Sequence, residues 1–302
     1  MTGSTPAAQT VPAVAPRRSR RRWLRSVLLL AFVVAAGFAT VLAPLWLPRT
    51  GNDDDSIIAQ ERAQRLFRAS WGMALPGTPD LANLPRRLAE NGLTKGAPIL
   101  MRIFKREFEL ELWMQRDGLF HRFVTYPICR WSGQLGPKLQ QGDHQAPEGF
   151  YSVDAKALNP NSRWYRSFDL GYPNAYDRAL GRTGSLIMVH GGCASVGCFA
   201  MTNAQMDEIW RLVTAALDGG QKRFQVQVYP FRLSDDALAR SAGHPAEAFW
   251  RTLKRGNDLF EASLLPPRVQ VCQGRYSFEA AAVGLPPDSP IDNRCPAATP
   301  KS

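Results

Sequence analysis

The chain has 302 residues, with 37 Lys plus Arg against 26 Asp plus Glu, five Cys and a formal net charge of +11. Seven of the basic residues (Arg17, Arg18, Arg20, Arg21, Arg22, Arg25 and Arg49) and none of the acidic ones precede Gly51; removing those seven leaves 30 basic against 26 acidic residues in the rest. A body this close to neutral excludes a nucleic-acid partner, which needs basic residues concentrated on a folded face. An apolar fraction of 45% excludes a disordered body.

In chain order, residues 1–25 form a basic tail, Ala/Thr/Pro-rich up to Pro16. Ser26 to Pro48 is a charge-free stretch of 23 residues rich in Leu, Val, Ala and Phe. As a helix it is long enough to span roughly 30 Å of hydrocarbon. The preceding arginines predict that this end stays in the cytoplasm and the rest of the chain crosses the inner membrane. A signal peptide cleaved near Ala39 is the competing reading. The arginine-rich segment before Leu24 also matches a twin-arginine export signal. Either way the body is expected outside the cytoplasm.

The spacing of Ile58, Arg62, Leu66 and Phe67 predicts a helix over 57–69, and a second short helix is expected over 81–90, stopped by Asn91-Gly92. From Pro98 the period changes to two. Phe108, Leu110, Leu112 and Met114 alternate with Glu107, Glu109, Glu111 and Trp113, a half-buried strand that Gly118 turns into a partner strand over 119–126. Further strands are expected at 150–153, 185–190 and 224–229, with a long loop over 132–149. Thr202 and Gln205 form a capping-box pair ahead of Met206, Ile209, Trp210, Val213 and Leu217, and Gly219-Gly220 ends that helix. Residues 235–262 read as two helical pieces broken at Gly243-His244-Pro245, and 269–278 as a terminal hairpin turning at Gln273-Gly274.

The chemistry concentrates in one run. A buried strand delivers His190 at its end, a loop of small residues follows (Gly191, Gly192, Ala194, Ser195, Gly197), and Cys198 lies ahead of the capped helix. A thiol is a nucleophile only as thiolate, and its pKa falls beside an imidazolium or near a helix N-terminus. Both devices are expected here, with the amides of Gly197 and Cys198 as oxyanion donors and a loop carbonyl orienting the second nitrogen of His190. Two rival readings stand beside thiol catalysis. His190, Cys193 and Cys198 have a spacing that would ligate zinc if a fourth ligand came from Cys129 or a remote His; alternatively both His190 and Cys198 are structural. An odd cysteine count in an exported chain leaves at least one thiol unpaired. Cys272 and Cys295 are the most plausible disulfide, closing a loop around the Gly/Pro-rich C-terminal segment.

Ser195-x-Gly197-Cys198 with the upstream His190-Gly191 resembles the signature of L,D-transpeptidases of the YkuD type. The finer match is to the YafK branch of that family. It is carried by Cys129 with Ser132-Gly133, Leu135-Gly136-Pro137-Lys138, Gly142-Asp143, Pro147-Glu148-Gly149-Phe150-Tyr151, Gly171 to Arg178, His190 to Asn203 and Tyr229-Pro230-Phe231-Arg232. The resemblance implies a β-rich α+β protein with a β-sandwich-like catalytic domain at 98–232, a helical lead-in at 57–97, a helical extension and hairpin at 233–278 and a Pro-rich tail at 279–302. It implies a periplasmic enzyme without cofactor or metal, acting on peptidoglycan stem peptides and on lipoprotein or outer-membrane protein linked to the wall. Cys198 would be the nucleophile and His190 the general base.

Two positions depart from the broad YkuD pattern. Ala200 stands where that pattern places an Arg two residues after the Cys, and the gap from His190 to Cys198 is short. The YafK branch shares both departures and is associated with hydrolytic release of protein attached to meso-diaminopimelate, rather than with cross-linking. Arg178, Tyr176, Asn174, Lys138 and Glu148 are the substrate-binding candidates. Arg130, Lys138, Arg163, Arg178 and Arg182 flank the motifs and are candidates to bind stem-peptide carboxylates, although surface solvation is the ordinary fate of any one of them. Ser195 is expected to orient the loop or touch substrate, and His144, in the long loop, to support the site from behind. Cys193 admits four readings: second nucleophile, resolving thiol, packed thiol, or disulfide partner of Cys129. The disulfide is preferred because it makes the cysteine count even once the nucleophile is set aside.

Overall fold

The computed structural model describes residues 23–34, 54–284, 291 and 295. The chain divides into two units, 1–50 and 51–302. In the first, 23–34 is helical, with Trp23, Leu28 and Phe32 exposed. Among the described residues no helix is long and apolar enough to cross a membrane. The expected anchor is thus represented only by its first nine residues; 35–48 lie outside the described residues.

The second unit begins with α1 (Asp54–Ser70) and α2 (Leu84–Glu90) and then builds a mixed, β-rich body. One sheet holds five strands in the order β3 (Leu119–Pro127), β2 (Glu109–Arg116), β1 (Ile99–Phe104), β9 (Arg223–Tyr229) and β4 (Gly149–Asp154). Only the β1–β9 pair is parallel. The other sheet holds β5 (Leu158–Asn159), β6 (Ser167–Asp169), β7 (Met188–His190) and β8 (Phe199–Ala200). Its last pair is parallel, so the chain must cross over between His190 and Phe199. The remaining elements are α3 (Ala175–Ala179), α4 (Asn203–Asp218), α5 (Asp235–Arg240), α6 (Glu247–Ser263) and the hairpin β10 (Arg268–Cys272) with β11 (Arg275–Glu279).

Strand β1 is absent from the sequence reading. All six of its residues are buried, so no alternation marks it, as expected of a strand paired on both edges and covered on both faces. The expected start at Phe108 is also displaced, since Phe108 has φ +54° and belongs to the turn between β1 and β2. Glu111, read as solvent-facing, is buried and held by Arg102, Arg122 and Arg232. Burial pushes its carboxyl up, but the Trp113 indole N–H, Arg102 and Arg232 together outweigh that and keep it below the ordinary range.

The two sheets share one core. Phe168 of β6 packs edge-on against Phe224 of β9, 5.6 Å between ring centroids, and Val189 and Phe199 belong to the same cluster. Phe168, Val189 and Phe199 lie side by side across β6, β7 and β8. Since side chains alternate, the residues flanking them present the opposite face of this small sheet. Helix α4 covers the core with Met206, Ile209, Leu212, Val213 and Ala216, and its capping box of Thr202 with Gln205 forms as the spacing predicts.

A second device holds the long loop over 132–149. Glu148 is buried and accepts hydrogen bonds from Lys105 Nζ at 2.9 Å, Gly136 N at 2.7 Å and Trp250 Nε1 at 2.7 Å. Burial pushes the Lys105 ammonium down, and Glu148 is what opposes that push. Replacing Glu148 by Ala leaves a buried cation without its counter-charge, and such losses cost about 3–5 kcal/mol. Urea unfolding of Glu148→Ala at neutral pH is expected to show a loss of that size, whereas a midpoint matching wild type would mean that water reaches Lys105.

Candidate active site

Two rows of residues cross the small sheet on the face opposite its core. In the first, β-pairing sets Ser167 beside His190, His190 beside Ala200, and Ala200 beside Arg130, which joins β8 through an isolated antiparallel bridge. In the second, Asp169 pairs with Met188, and the parallel register continued one residue back sets Met188 beside Cys198. The Cys198 sulfur accepts the Met188 N–H at 3.4 Å and lies 3.6 Å from the Leu186 carbonyl. His190 and Cys198 are thus diagonal neighbours on adjacent strands, a relation with Cβ atoms about 7–8 Å apart. Both are buried, at 1% and 8% exposure. The indole of Trp164 packs 6.0 Å from the His190 ring.

The imidazole is oriented by its own neighbour. His190 Nδ1 is 2.5 Å from the Gly191 carbonyl oxygen. A carbonyl only accepts, so Nδ1 carries the proton and Nε2 keeps its lone pair. A Cβ on Gly191 would come within 2.6 Å of Asn203 Oδ1 and 3.0 Å of Tyr165 Cβ, which restricts that position to glycine. Ser195 Oγ donates to the Cys198 carbonyl at 2.6 Å and so braces the loop.

The electrostatics differ from those expected of a thiolate site. Helix α4 begins only at Asn203, and β8 intervenes between it and Cys198. The field of a helix terminus falls off within its first turn, so Cys198 gains little from it. Burial pushes the Cys198 thiol up from 9.0, the Met188 N–H offsets part of this, and Asp169 adds to it. Burial pushes His190 down from 6.5. The pair therefore rests as neutral thiol and neutral imidazole near pH 7. All five cysteines are described and Cys198 is the free one, so alkylation reports on it alone. Iodoacetamide labelling of Cys198 is expected to be slow at pH 8 and to rise only above pH 9.0. Labelling at pH 7 as fast as that of activated thiols would contradict this picture.

The oxyanion expectation is also revised. The Gly197 N–H is bonded to Ser132 Oγ, which leaves the Cys198 amide as the remaining donor of the expected pair. Ser132 lies 3.4 Å from Ser195 Oγ and holds Ala146 N through its carbonyl at 2.9 Å. It was not singled out from the sequence, although it stands in the matched Cys129 to Gly133 motif.

Cys193 is joined to Cys129, 5.3 Å between Cα atoms, and Cys272 to Cys295, 4.5 Å apart. The first disulfide ties the loop after His190 to the segment entering the Arg130 bridge, and holds Cys193 at φ +49°. It also removes Cys193 from the zinc spacing. Among the described residues no group of three or more His, Cys, Asp or Glu is placed to hold a metal.

Most substrate-binding candidates serve the fold. Glu148 is occupied as described above. Asn174 caps α3 and donates from Nδ2 to the Phe150 carbonyl and Tyr276 Oη. Tyr176 is stacked on Tyr276, 4.1 Å between centroids, and on Phe249. Arg178 is exposed and bonds the Pro173 carbonyl. Lys138 is buried and paired with Asp143, although its charge reaches Cys198 and draws the thiol down. His144 is exposed.

With this geometry in place, the comparisons with known proteins can be read. Residues 107–228, which include Ser132, His190 and Cys198, match the model of YkuD, the L,D-transpeptidase catalytic domain. A curated sequence from Escherichia coli K12, named "Putative L,D-transpeptidase YafK", is 47% identical over 181 residues, 60% of this chain and 74% of that protein. The chain belongs to the YkuD L,D-transpeptidase family. The namesake from Escherichia coli O157:H7 matches to the same extent. Among solved structures, the helical cell shape determining protein Pgp2 from Campylobacter jejuni is 21% identical, with a TM-score of 0.36, over 60% of this chain and 67% of that one.

Proposed function

We propose that this YkuD-family protein is a thiol-dependent acyltransferase of the bacterial periplasm that acts on diaminopimelate-containing stem peptides of peptidoglycan. The carrying observation is the pairing of the free Cys198 with His190 on one sheet face, the imidazole held with Nε2 open. The Cys198 S–H leaves the Leu186 carbonyl for His190 Nε2, which takes the proton as sulfur attacks the diaminopimelyl carbonyl. The tetrahedral oxyanion forms beside the Cys198 amide. It collapses to a thioester as the amide C–N bond breaks, and the leaving amine takes the proton from the imidazolium. Water, deprotonated by His190, then attacks the thioester and releases a carboxylic acid and the Cys198 thiol.

An amine in place of water completes a transpeptidation by the same steps, so the acceptor alone separates the two outcomes. The likeness of the His190 to Asn203 run to the YafK branch favours hydrolysis, that is, release of protein linked to the wall. Seated in the inner membrane by residues 26–48, the enzyme would meet its substrate from the inner side. Incubation of the soluble body with intact sacculi, followed by mass spectrometry, is expected to give hydrolysed amides carrying the mass of one added water. New 3-3 cross-links would assign it to transpeptidation instead. Sacculus binding without any product, equally strong in Cys198→Ala, would leave a wall-binding module.

A further inference from the structure

Arg130 occupies an unusual place for a guanidinium. Its backbone bridges to Ala200, whose other neighbour is His190. Paired residues of a sheet project to the same face, so Arg130, Ala200, His190 and Ser167 form one row on the site face. Ala200, fully buried, contributes only a methyl group between the arginine and the imidazole. Successive strands lie about 4.8 Å apart, so the backbones of Arg130 and His190 are roughly 10 Å from one another. An arginine side chain spans most of that interval.

This guanidinium has no counter-charge. Among the described residues Arg130 forms no ion pair, and its Nε is buried without a hydrogen-bond partner. Ser167 Oγ, at the far end of the row, is likewise buried and unpartnered. A like charge acts across this end. Arg62 bonds the Trp131 and Gly133 carbonyls, and the Arg130 charge helps burial push it down, with Asp55 acting the other way. The carboxyl that acts on Cys198 is Asp169, which stands in the strand beyond Met188, on the side away from Arg130. The face is therefore polarised, positive at the Arg130 end and negative at the β6 end. Half-buried arginines without partners are where carboxylates bind, because the fork matches a carboxylate with two parallel hydrogen bonds.

We propose that Arg130 holds a carboxylate of the substrate, placed a few bonds from the carbonyl that Cys198 attacks, with the small Ala200 side chain between them. The inference rests on the function proposed above as regards which peptide is bound, but the anion site itself does not. It makes Arg130 a specificity-determining residue, selecting stem peptides with a free acid next to the scissile amide over amidated ones.

Two measurements on the full chain separate the anion site from the substrate assignment. The first compares alkylation of Cys198 by iodoacetate with that by iodoacetamide in the wild type, Arg130→Gln and Arg130→Lys. A unit charge at this range predicts that the acetate-to-acetamide rate ratio falls about two- to fivefold in Arg130→Gln and is largely kept in Arg130→Lys. An unchanged ratio in Arg130→Gln, in a variant that melts with wild type, overturns the anion site. The second measures KM for a diaminopimelyl peptide with its free carboxylate and for its amidated form. Arg130→Gln is expected to raise KM for the acid on the order of 10- to 100-fold, with kcat little changed, and to leave the amide as it was. Equal losses on acid and amide overturn the carboxylate assignment. A shifted alkylation ratio in a protein that turns over neither peptide keeps the anion site and removes the proposed peptide substrate.

Discussion

Cys198→Ala is expected to reduce turnover of wall-derived substrate to background, a loss on the order of 10⁴-fold or more, because it removes the one free thiol among the described residues. Cys129 with Cys193 and Cys272 with Cys295 are locked in disulfides, so no neighbouring thiol can stand in for the missing sulfur. The replacement is small and buried, and the sulfur takes part in only two weak polar contacts, to Met188 N and Leu186 O. The fold should persist, which thermal melting checks. Wild-type rates in a folded Cys198→Ala protein would eliminate the thiol mechanism altogether. In the wild type, brief incubation and acid quenching should trap a thioester at Cys198, seen as added mass on the peptide that contains it.

His190→Ala is expected to slow acylation by about 10²–10⁴-fold, the usual contribution of a general base. Here the base matters more than in sites that rest as a thiolate, since burial holds the Cys198 thiol neutral and only proton transfer in the step itself makes it reactive. The pH profile distinguishes this role from a structural one. His190 works only when neutral, and burial lowers its pKa below 6.5. In wild type, kcat/KM should therefore hold through pH 6.5 and fall only on further acidification. In His190→Ala that acid limb should vanish, and the rate should climb with pH toward and above 9.0 as solvent hydroxide takes over. A variant that keeps the acid limb would point to another base. The same shift bears on stability. The unfolded chain binds a proton at His190 that the folded chain resists, so stability should decline as pH drops below 6.5.

Much of this protein follows from local pattern. The capping box of Thr202 with Gln205 and the apolar stripe from Met206 mark α4 because a helix displays its buried face every three to four residues. The alternation from Leu110 to Met114 marks β2, and Gly118 its turn. The run from His190 to Cys198 singles out the candidate pair because a strand end, a small-residue loop and a thiol are contiguous in the chain. What proximity in the chain does not encode was not legible. Strand β1 is buried on both faces and shows no period, and β6 and β8 have only three and two residues, too few to show one.

The roles of charged residues depended on which strands became neighbours. Glu111 and Glu148 read as surface or substrate-binding carboxylates, yet both are buried, Glu111 against Arg102 of the neighbouring strand and Arg232 from a distant part of the chain, and Glu148 against Lys105. The pairing of Arg130 with Ala200 across 70 positions follows only from the parallel crossover to β8. The ionisation of the thiol was decided the same way. Sequence places Cys198 ahead of a helix and suggests a lowered pKa, but folding inserts β8 between them and closes the core around the sulfur. Residue identity and spacing thus marked the candidate groups. Desolvation and cross-strand contact, which arise only on folding, decided their charge and their company.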